Sequence, residues 1–414
     1  MPPLDRPKLR HLNVHRFEQN GETYALLQDP LGAFPEPLLI PYRSFVHVCR
    51  HFDGRKSVDE IRTQVRHETG QSVTGEELAR LIDQLDRALV LDGPAFAAFE
   101  KAFRESPHRP AALAGRSYSG NERALRVELD GYFRHACGSG PVGPTGRDVG
   151  PPVRGILSPH IDFRRGGATY TWAYKALAER TRAETFVVIG VAHQHCRRRF
   201  VMTYKDFETP LGLVATDRDY VERIARRAGS EVFDDELVHL GEHSIEFQLV
   251  FLKHVLGAER PFSIVPILAG SFHDCIERGI EPIDDPEVRR FVEALRDAER
   301  ARGREVAYIG GVDFCHVGPE FGDPDPVDGA LRDQVRTFDA ELLEHAAAVR
   351  PAAWYGTAAR VANRYRVCGL AATYTMLQAM GPARGRLLRY DQAVNGDRTC
   401  CVSFASMVYH ADEV

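Results

Sequence analysis

The chain has 414 residues, 43% hydrophobic and 27% charged, with a formal net charge of −5. That length exceeds one ordinary core and predicts two domains of a soluble globular protein. The acidic balance gives no bulk attraction to nucleic acid, and no apolar run approaches the ~20 residues needed to cross a bilayer. The opening residues MPPLDRPKLRHLNVHRF are basic with no apolar stretch behind them, so no signal peptide, a cytoplasmic location and eight cysteines that serve as free thiols or ligands are expected.

Taken in chain order, Thr23–Leu27 predicts a short strand and Ser44–Phe52 a helix stopped by Asp53-Gly54. Ser57 and Glu60 form a Ser-x-x-Glu capping box for a helix over Val58–Glu68. Thr74 opens a third helix through Leu89, with Leu78, Leu81, Ile82, Leu85 and Leu89 on one stripe, and Leu89–Gly93 ends it as a strand and turn. The phrase FDGRKSVDEI…EELARLIDQLDRALVLDG resembles PqqD-like winged-helix modules, which implies a peptide ligand for residues 1–95. Winged helices also bind DNA, but Glu76, Glu77, Asp83 and Asp86 make the third helix acidic, the wrong charge for a groove. Residues 96–152 follow as a helical connector (Ala95–Glu105, then Glu122–His135). It ends in CGSGPVGPTGRDVGPP, whose glycines and prolines mark the expected domain boundary.

From Val153 to the end, strands and helices alternate. Strands are predicted at Val153–Ser158, Thr185–Val191, Phe200–Tyr204, Phe262–Ala269, Glu305–Val312, Arg386–Tyr390 and Cys401–Tyr409. Helices are predicted at Thr169–Arg180, Asp219–Arg227, Ser244–Leu256, Pro286–Arg302, Val327–Ala348, Ala352–Ala362 and Leu370–Met380. This is the pattern of a three-layer α/β domain with a mainly parallel central sheet over residues 153–414.

Three predicted strands end in residues able to bind metal or move protons: Ser158-Pro159-His160, Gly190-Val191-Ala192-His193, and Gly311-Val312-Asp313-Phe314-Cys315-His316. Open α/β sheets bind ligands outside the carboxyl ends of their strands, so these groups are placed to converge. His160 and His193 are the leading metal ligands, since imidazole suits iron, copper, zinc and nickel; either one alone reads more readily as a hydrogen-bonded turn histidine, and it is their occurrence together at strand ends that favours a metal. Cys368 opens a helix beside Arg364 and Arg366, where dipole and charge favour its thiolate, although a lone cysteine is also a small buried hydrophobe. Glu242, His243 and Glu246 share a helix start, able to orient ligands or simply to cap the helix. Arg197-Arg198-Arg199 reads as a solvated loop or an anion site, and Gly166-Gly167 resembles an anion-binding helix start.

The blocks SPHIDFRRGG, VVIGVAHQHC, GEHSIEFQLVFL, FSIVPILAGSF, GGVDFCHVGPEF and RVCGLAATYTML stand in the order and spacing of the Memo family, whose bacterial members are called AmmeMemoRadiSam system protein B. The resemblance runs from about Val153 to His410. It implies a fold similar to class III extradiol dioxygenases and a metal held by His160, His193 and Cys368, with cysteine where those enzymes use a carboxylate. It places His316 at the catalytic base, with Asp313 beside it and Glu242, His243 and Glu246 lining the pocket. Where the family block reads SPHAGY, this chain has Asp162, an added acid near the metal. Iron or copper, with zinc also compatible, and redox chemistry are implied. A non-catalytic alternative is a scaffold working with a radical S-adenosylmethionine enzyme or an AMMECR-type partner. No nucleic acid and no membrane are expected as partners.

Overall fold

Residues 4–34, 36–144, 152–257, 260–302 and 306–411 are described in the computed structural model. The chain divides into two units, at Ser106 and Pro107. In the front unit, strands β1 (Asn13–Gln19), β2 (Glu22–Gln28) and β3 (Leu38–Pro41) form an antiparallel sheet. Helices α1 (Tyr42–His47), α2 (Val58–Thr69), α3 (Gly75–Arg87) and α4 (Pro94–Glu105) follow. The Ser57/Glu60 capping box starts α2, and Thr74 with Glu77 makes a second at α3. Each satisfies two helix-start N–H groups, worth about 1 kcal/mol per cap. Ala25, Leu27, Ile61, Val65, Leu78, Ile82 and Leu85 form this unit's core. Leu89 does not extend the α3 stripe: the helix ends at Arg87 and Leu89 takes a left-handed φ of 60°. Strands β1 and β3 carry no clear alternation of their own, so of the three only β2 is expected from the sequence; the strand expected at Leu89–Gly93 is instead a single bridge between Leu91 and Leu9.

The large unit opens with β4 (His108–Arg109) and α5 (Glu122–Arg134). Then come β5 (Val153–Ser158), α6 (Phe163–Arg180), β6 (Thr185–Val191), β7 (Phe200–Met202), β8 (Asp206–Phe207), β9 (Ala215–Thr216), α7 (Arg218–Ala228) and α8 (His243–Leu256). The rest is β10 (Ser263–Ala269), α9 (His273–Arg278), α10 (Pro286–Arg302), β11 (Val306–Gly311), β12 (His316–Val317), α11 (Gly329–Ala347), α12 (Pro351–Ala359), α13 (Leu370–Met380), β13 (Ala383–Val394) and β14 (Cys401–Ala411). The unit boundary does not fall in the Gly/Pro stretch. Helix α5 packs on α6 and α8, the Trp172 indole N–H donates to Cys137 O at 2.9 Å, and Ser139 N donates to Thr171 Oγ1 at 3.0 Å. Composition alone cannot separate a linker from a loop fastened by such bonds.

The sheet runs β12-β14-β5-β11-β6-β10-β7, with β13 on β14 and β9 on β10. Its centre, β5-β11-β6-β10, is parallel; β14 and β7 flank it antiparallel. Alternate residues take opposite faces. Val187, Ile189, Val265 and Ile267 join residues of α7, α10, α11 and α13 in one core. Their equally buried neighbours Phe186, Val188, Ile264 and Leu268 face the other layer. There α6 meets α8 through aromatic pairs, Phe163–Phe247 at 4.7 Å and Tyr170–Phe251 at 4.8 Å. Such pairs add ~1 kcal/mol each beyond area burial. Helix α6 begins six residues earlier than predicted, capped by Asp162. Gly166 and Gly167 lie inside it as close-packing positions rather than at an anion-binding start: a Cβ would sit 2.3 Å from Ile161 Cγ2 and 2.6 Å from Tyr132 Cδ1. Among the described residues, no helix is long and apolar enough to cross a membrane.

Two further glycines set the height of α8 over the sheet. A Cβ on Gly190 would meet Ser244 Oγ at 2.4 Å, and one on Gly311 would meet Ser244 O at 2.4 Å. Only bare backbone at the ends of β6 and β11 lets the first turn of α8 come this close. Gly311→Ala is therefore expected to destabilise the protein by about 1–3 kcal/mol, the usual cost of overpacking, read as a lower urea midpoint at unchanged m-value.

Candidate metal centre

Strand β5 delivers His160, β6 delivers His193, and the α8 start delivers His243. Their ring centroids lie 4.9, 5.2 and 4.7 Å apart, and one nitrogen from each falls within 4.8 Å of the others. His160 is 2% exposed, while the His193 and His243 side chains are 32% and 33% exposed, so the trio is open on one side only. The loop between α12 and α13 brings in Cys368. Cys368 N and Gly369 N donate to Phe314 O and Asp313 O at 3.2 and 3.0 Å, and Cys368 Sγ lies 3.4 Å from His160 Nε2. Ala362, Asn363 and Arg366 in this loop all take left-handed φ, near 50°.

Hydrogen bonds fix which histidine nitrogens remain available. His160 Nδ1 faces Gly311 O at 2.9 Å; a carbonyl only accepts, so Nδ1 carries the proton and Nε2 keeps its lone pair. His193 Nδ1 donates to the Glu242 carboxylate at 3.1 Å, and His193 N donates to it at 3.1 Å. Glu242 also caps α8, accepting from Ser244 N at 2.9 Å, and stands 3.2 Å from His243 Nδ1. Burial alone would push the Glu242 carboxyl up; the two histidines and these N–H bonds outweigh it and hold it well below the usual range. Burial also pulls His193 down, but Glu242 more than offsets this. Burial and the neighbouring imidazoles hold His160 well below its ordinary value, and burial brings His243 down to about 4.

Asp313, buried at the end of β11, accepts from His160 N at 3.0 Å and places Oδ2 3.6 Å from His160 Nε2; burial raises it to about 7. His316 donates Nδ1–H to Phe314 O at 3.1 Å, leaving Nε2 as an acceptor, and burial lowers it to about 4. His193, His316 and Cys368 line one cavity of about 320 Å³, with Phe272, Ile276, Phe321 and Leu370 among its apolar walls.

Several predicted roles change. The Cys368 thiol is not activated: burial, then Asp313, pushes it well above its ordinary value, and Arg366 is turned to Asp323 at 2.8 Å. Asp162 is the α6 cap, accepting from Arg164 N at 2.9 Å. None of Glu242, His243 and Glu246 is among the cavity-lining residues; Glu246 instead accepts from Leu113 N at 3.0 Å and from Tyr118 and Arg109. Arg197 and Arg198 pair with Asp235 and Asp234, and Arg199 with Asp274 and Asp285, which fills the supposed anion site with carboxylates. Arg109 and Tyr118 were missed, because no spacing signal links them to a helix more than 120 residues away.

Behind the 313–316 turn, Cys315 Sγ donates to buried Asp339 at 3.1 Å, Tyr390 OH donates to its other oxygen at 2.8 Å, and Cys315 N donates to Ser403 Oγ at 2.9 Å. Burial raises Asp339 from 3.8 to about 6 against the bonds it accepts. The folded state thus holds a proton that the unfolded chain has released, and stability falls as pH rises across that window. Asp339→Asn is expected to flatten this slope in urea midpoints taken between about pH 4 and pH 6.

A family model described as Memo-like protein matches residues 109–408, nearly the whole large unit. A MEMO1 family protein of Methanopyrus kandleri is 31% identical over 310 residues, covering 73% of this chain and 98% of the relative. One from Aquifex aeolicus is 26% identical over 412 residues, 98% of this chain and all of the relative, so that match runs through both units. One from Thermus thermophilus is 27% identical over 343 residues, 82% of this chain and 94% of the relative. With its histidines at the strand ends where the sequence blocks put them, and a match of this extent, the chain belongs to the Memo family.

Proposed function

We propose that the large unit is a redox-active metalloprotein with one non-haem iron or copper bound by His160, His193 and Cys368. The observation that carries this reading is the pair of occupied Nδ1 atoms. Gly311 O and Glu242 take the Nδ1 protons of His160 and His193, which leaves two Nε2 lone pairs for one ion. Among the described residues, the group at this centre whose ligand atoms all lie within 4.8 Å of one another is His160, His193 and His243; Cys368 is supported as third donor by its distance to His160 alone. Ligands at ~2.0 Å (N) and ~2.3 Å (S) on a tetrahedral ion stand roughly 3.5 Å apart, and His160 Nε2 and Cys368 Sγ are 3.4 Å apart. His243 is a further imidazole within reach. Burial keeps the Cys368 proton on until a cation offsets the cost of a buried thiolate, so metal binding would release it.

Two imidazoles and a thiolate favour iron or copper in a softer state than a carboxylate site would, with zinc as a competitor. When bound, the metal would supply electron transfer and an open position for a ligand. The chain's own residues do the rest. Phe272, Phe321 and Leu370 keep the cavity apolar, and neutral His316 offers Nε2 as a proton acceptor at neutral pH. Asp313, near 7, holds His160 through its main chain.

A second reading is favoured by the front unit, whose β1 is exposed along its whole length, with Val14 and Phe17 at 42% and 39% and Leu39 on β3 at 42%. Such apolar exposure suits a docked peptide or a partner enzyme, for which the large unit would be a scaffold. Peptide binding unaffected by loss of the metal ligands would favour it.

Elemental analysis of protein purified without oxygen tests the first reading. About one iron or copper per chain is expected, and its loss in His160→Ala/Cys368→Ala; a metal-free wild type would sink the proposal. His316→Ala is expected to keep its metal and to slow oxygen uptake with a reductant by about 10²-fold or more.

A further inference from the structure

Arg109 lies outside every block that marks the metal centre, yet the family match begins at this residue. It is fully buried. Its guanidinium donates from Nε to His239 O, from Nη2 to Glu242 O and from Nη1 to Pro110 O, each at 2.8 Å, and Nη1 also pairs with Glu246. Glu246 in turn accepts from Leu113 N at 3.0 Å and from Tyr118. The main chain leading into α8, from His239 to Glu242, is thus gripped from behind by the strand that opens the large unit.

We propose that Arg109 is a positioning residue for the metal centre: it fixes the Glu242 backbone so that the carboxylate meets His193 Nδ1 and Ser244 N together. The inference rests on the metal reading above. Stability is a poor account of this pair. A buried ion pair costs several kcal/mol per ion to desolvate, and apolar side chains of similar volume often serve as well. Geometry is a better account. A planar fork reaches three carbonyls and a carboxylate at once, four acceptors that the three N–H donors of a lysine ammonium cannot serve together. Glu242 needs that precision, because its two oxygens serve His193 N, His193 Nδ1 and Ser244 N within 2.9–3.1 Å.

The test uses Co²⁺ as the probe metal on the full chain, with chelator competition for affinity and the visible spectrum for coordination geometry. Wild type is compared with Arg109→Lys, Arg109→Met/Glu246→Leu, Glu242→Gln, and Arg109→Lys combined with Glu242→Gln. The Met/Leu pair replaces the ions by apolar groups and keeps the test open if Arg109→Lys does not fold. Folded variants are expected to bind Co²⁺ about 10–100-fold more weakly, the usual cost of losing a hydrogen-bonded support behind a metal-ligating histidine, with a shifted spectrum. Adding Arg109→Lys to Glu242→Gln should lose nothing more, because both act through His193. Wild-type affinity and spectrum in a folded Arg109 variant would overturn the inference, as would fully additive losses. A wild type that binds no Co²⁺ would overturn the metal reading itself, and this inference with it.

Discussion

The Glu242 side chain is 3% exposed and sits where the end of β6 meets the first turn of α8. Water would solvate a free carboxylate there far better than a protein interior can, and the structure compensates with three N–H donors, one of them on the His193 ring, and with the His243 imidazole alongside. The α8 side of the centre depends on that compensation. The carboxylate starts the helix, selects the His193 tautomer and keeps His243 alongside. It can reach these partners only because Gly190 and Gly311 leave no side chain beneath α8. A backbone feature of the sheet thus sets the electrostatics of the site.

Other charged and polar groups around the centre are already engaged. Cys315, between Asp313 and His316 in sequence, is held by Asp339, and Arg197, Arg198 and Arg199 are matched by carboxylates. The cavity is faced by His193, His316 and Cys368, by hydrocarbon, and by Arg366, whose charge is matched by Asp323. A ligand entering it would meet few fixed charges except those of the centre, and in such low-dielectric surroundings these act strongly.

The large unit was readable from sequence where its physics is local or periodic. Strands β5 and β6 and helices α10 and α13 begin and end where apolar runs and breakers put them. The carboxyl-end rule brought His160 and His193 together before any resemblance was used. The reading failed where a side chain's meaning lies in a distant partner. Glu246 shares a helix start with His243 but turns to Arg109, 137 positions earlier. Asp162 was read by its charge and acts as a cap. Cys368 was read by its neighbours in sequence, yet burial governs its thiol.

The strap from Pro107 to Tyr118 also bears on how such chains can be reassorted. The Methanopyrus relative is matched over 98% of its length by 73% of this chain, so it is a shorter protein than the two units together. Helix α4 ends at Glu105, and Arg109 is already inside the Glu246 clamp. A recombination event that grafts a different front module onto this scaffold therefore has a seam only a few residues wide. A cut on the far side of Tyr118 would carry off both the arginine and the tyrosine that hold Glu246, leaving a buried carboxylate stripped of its charged partner.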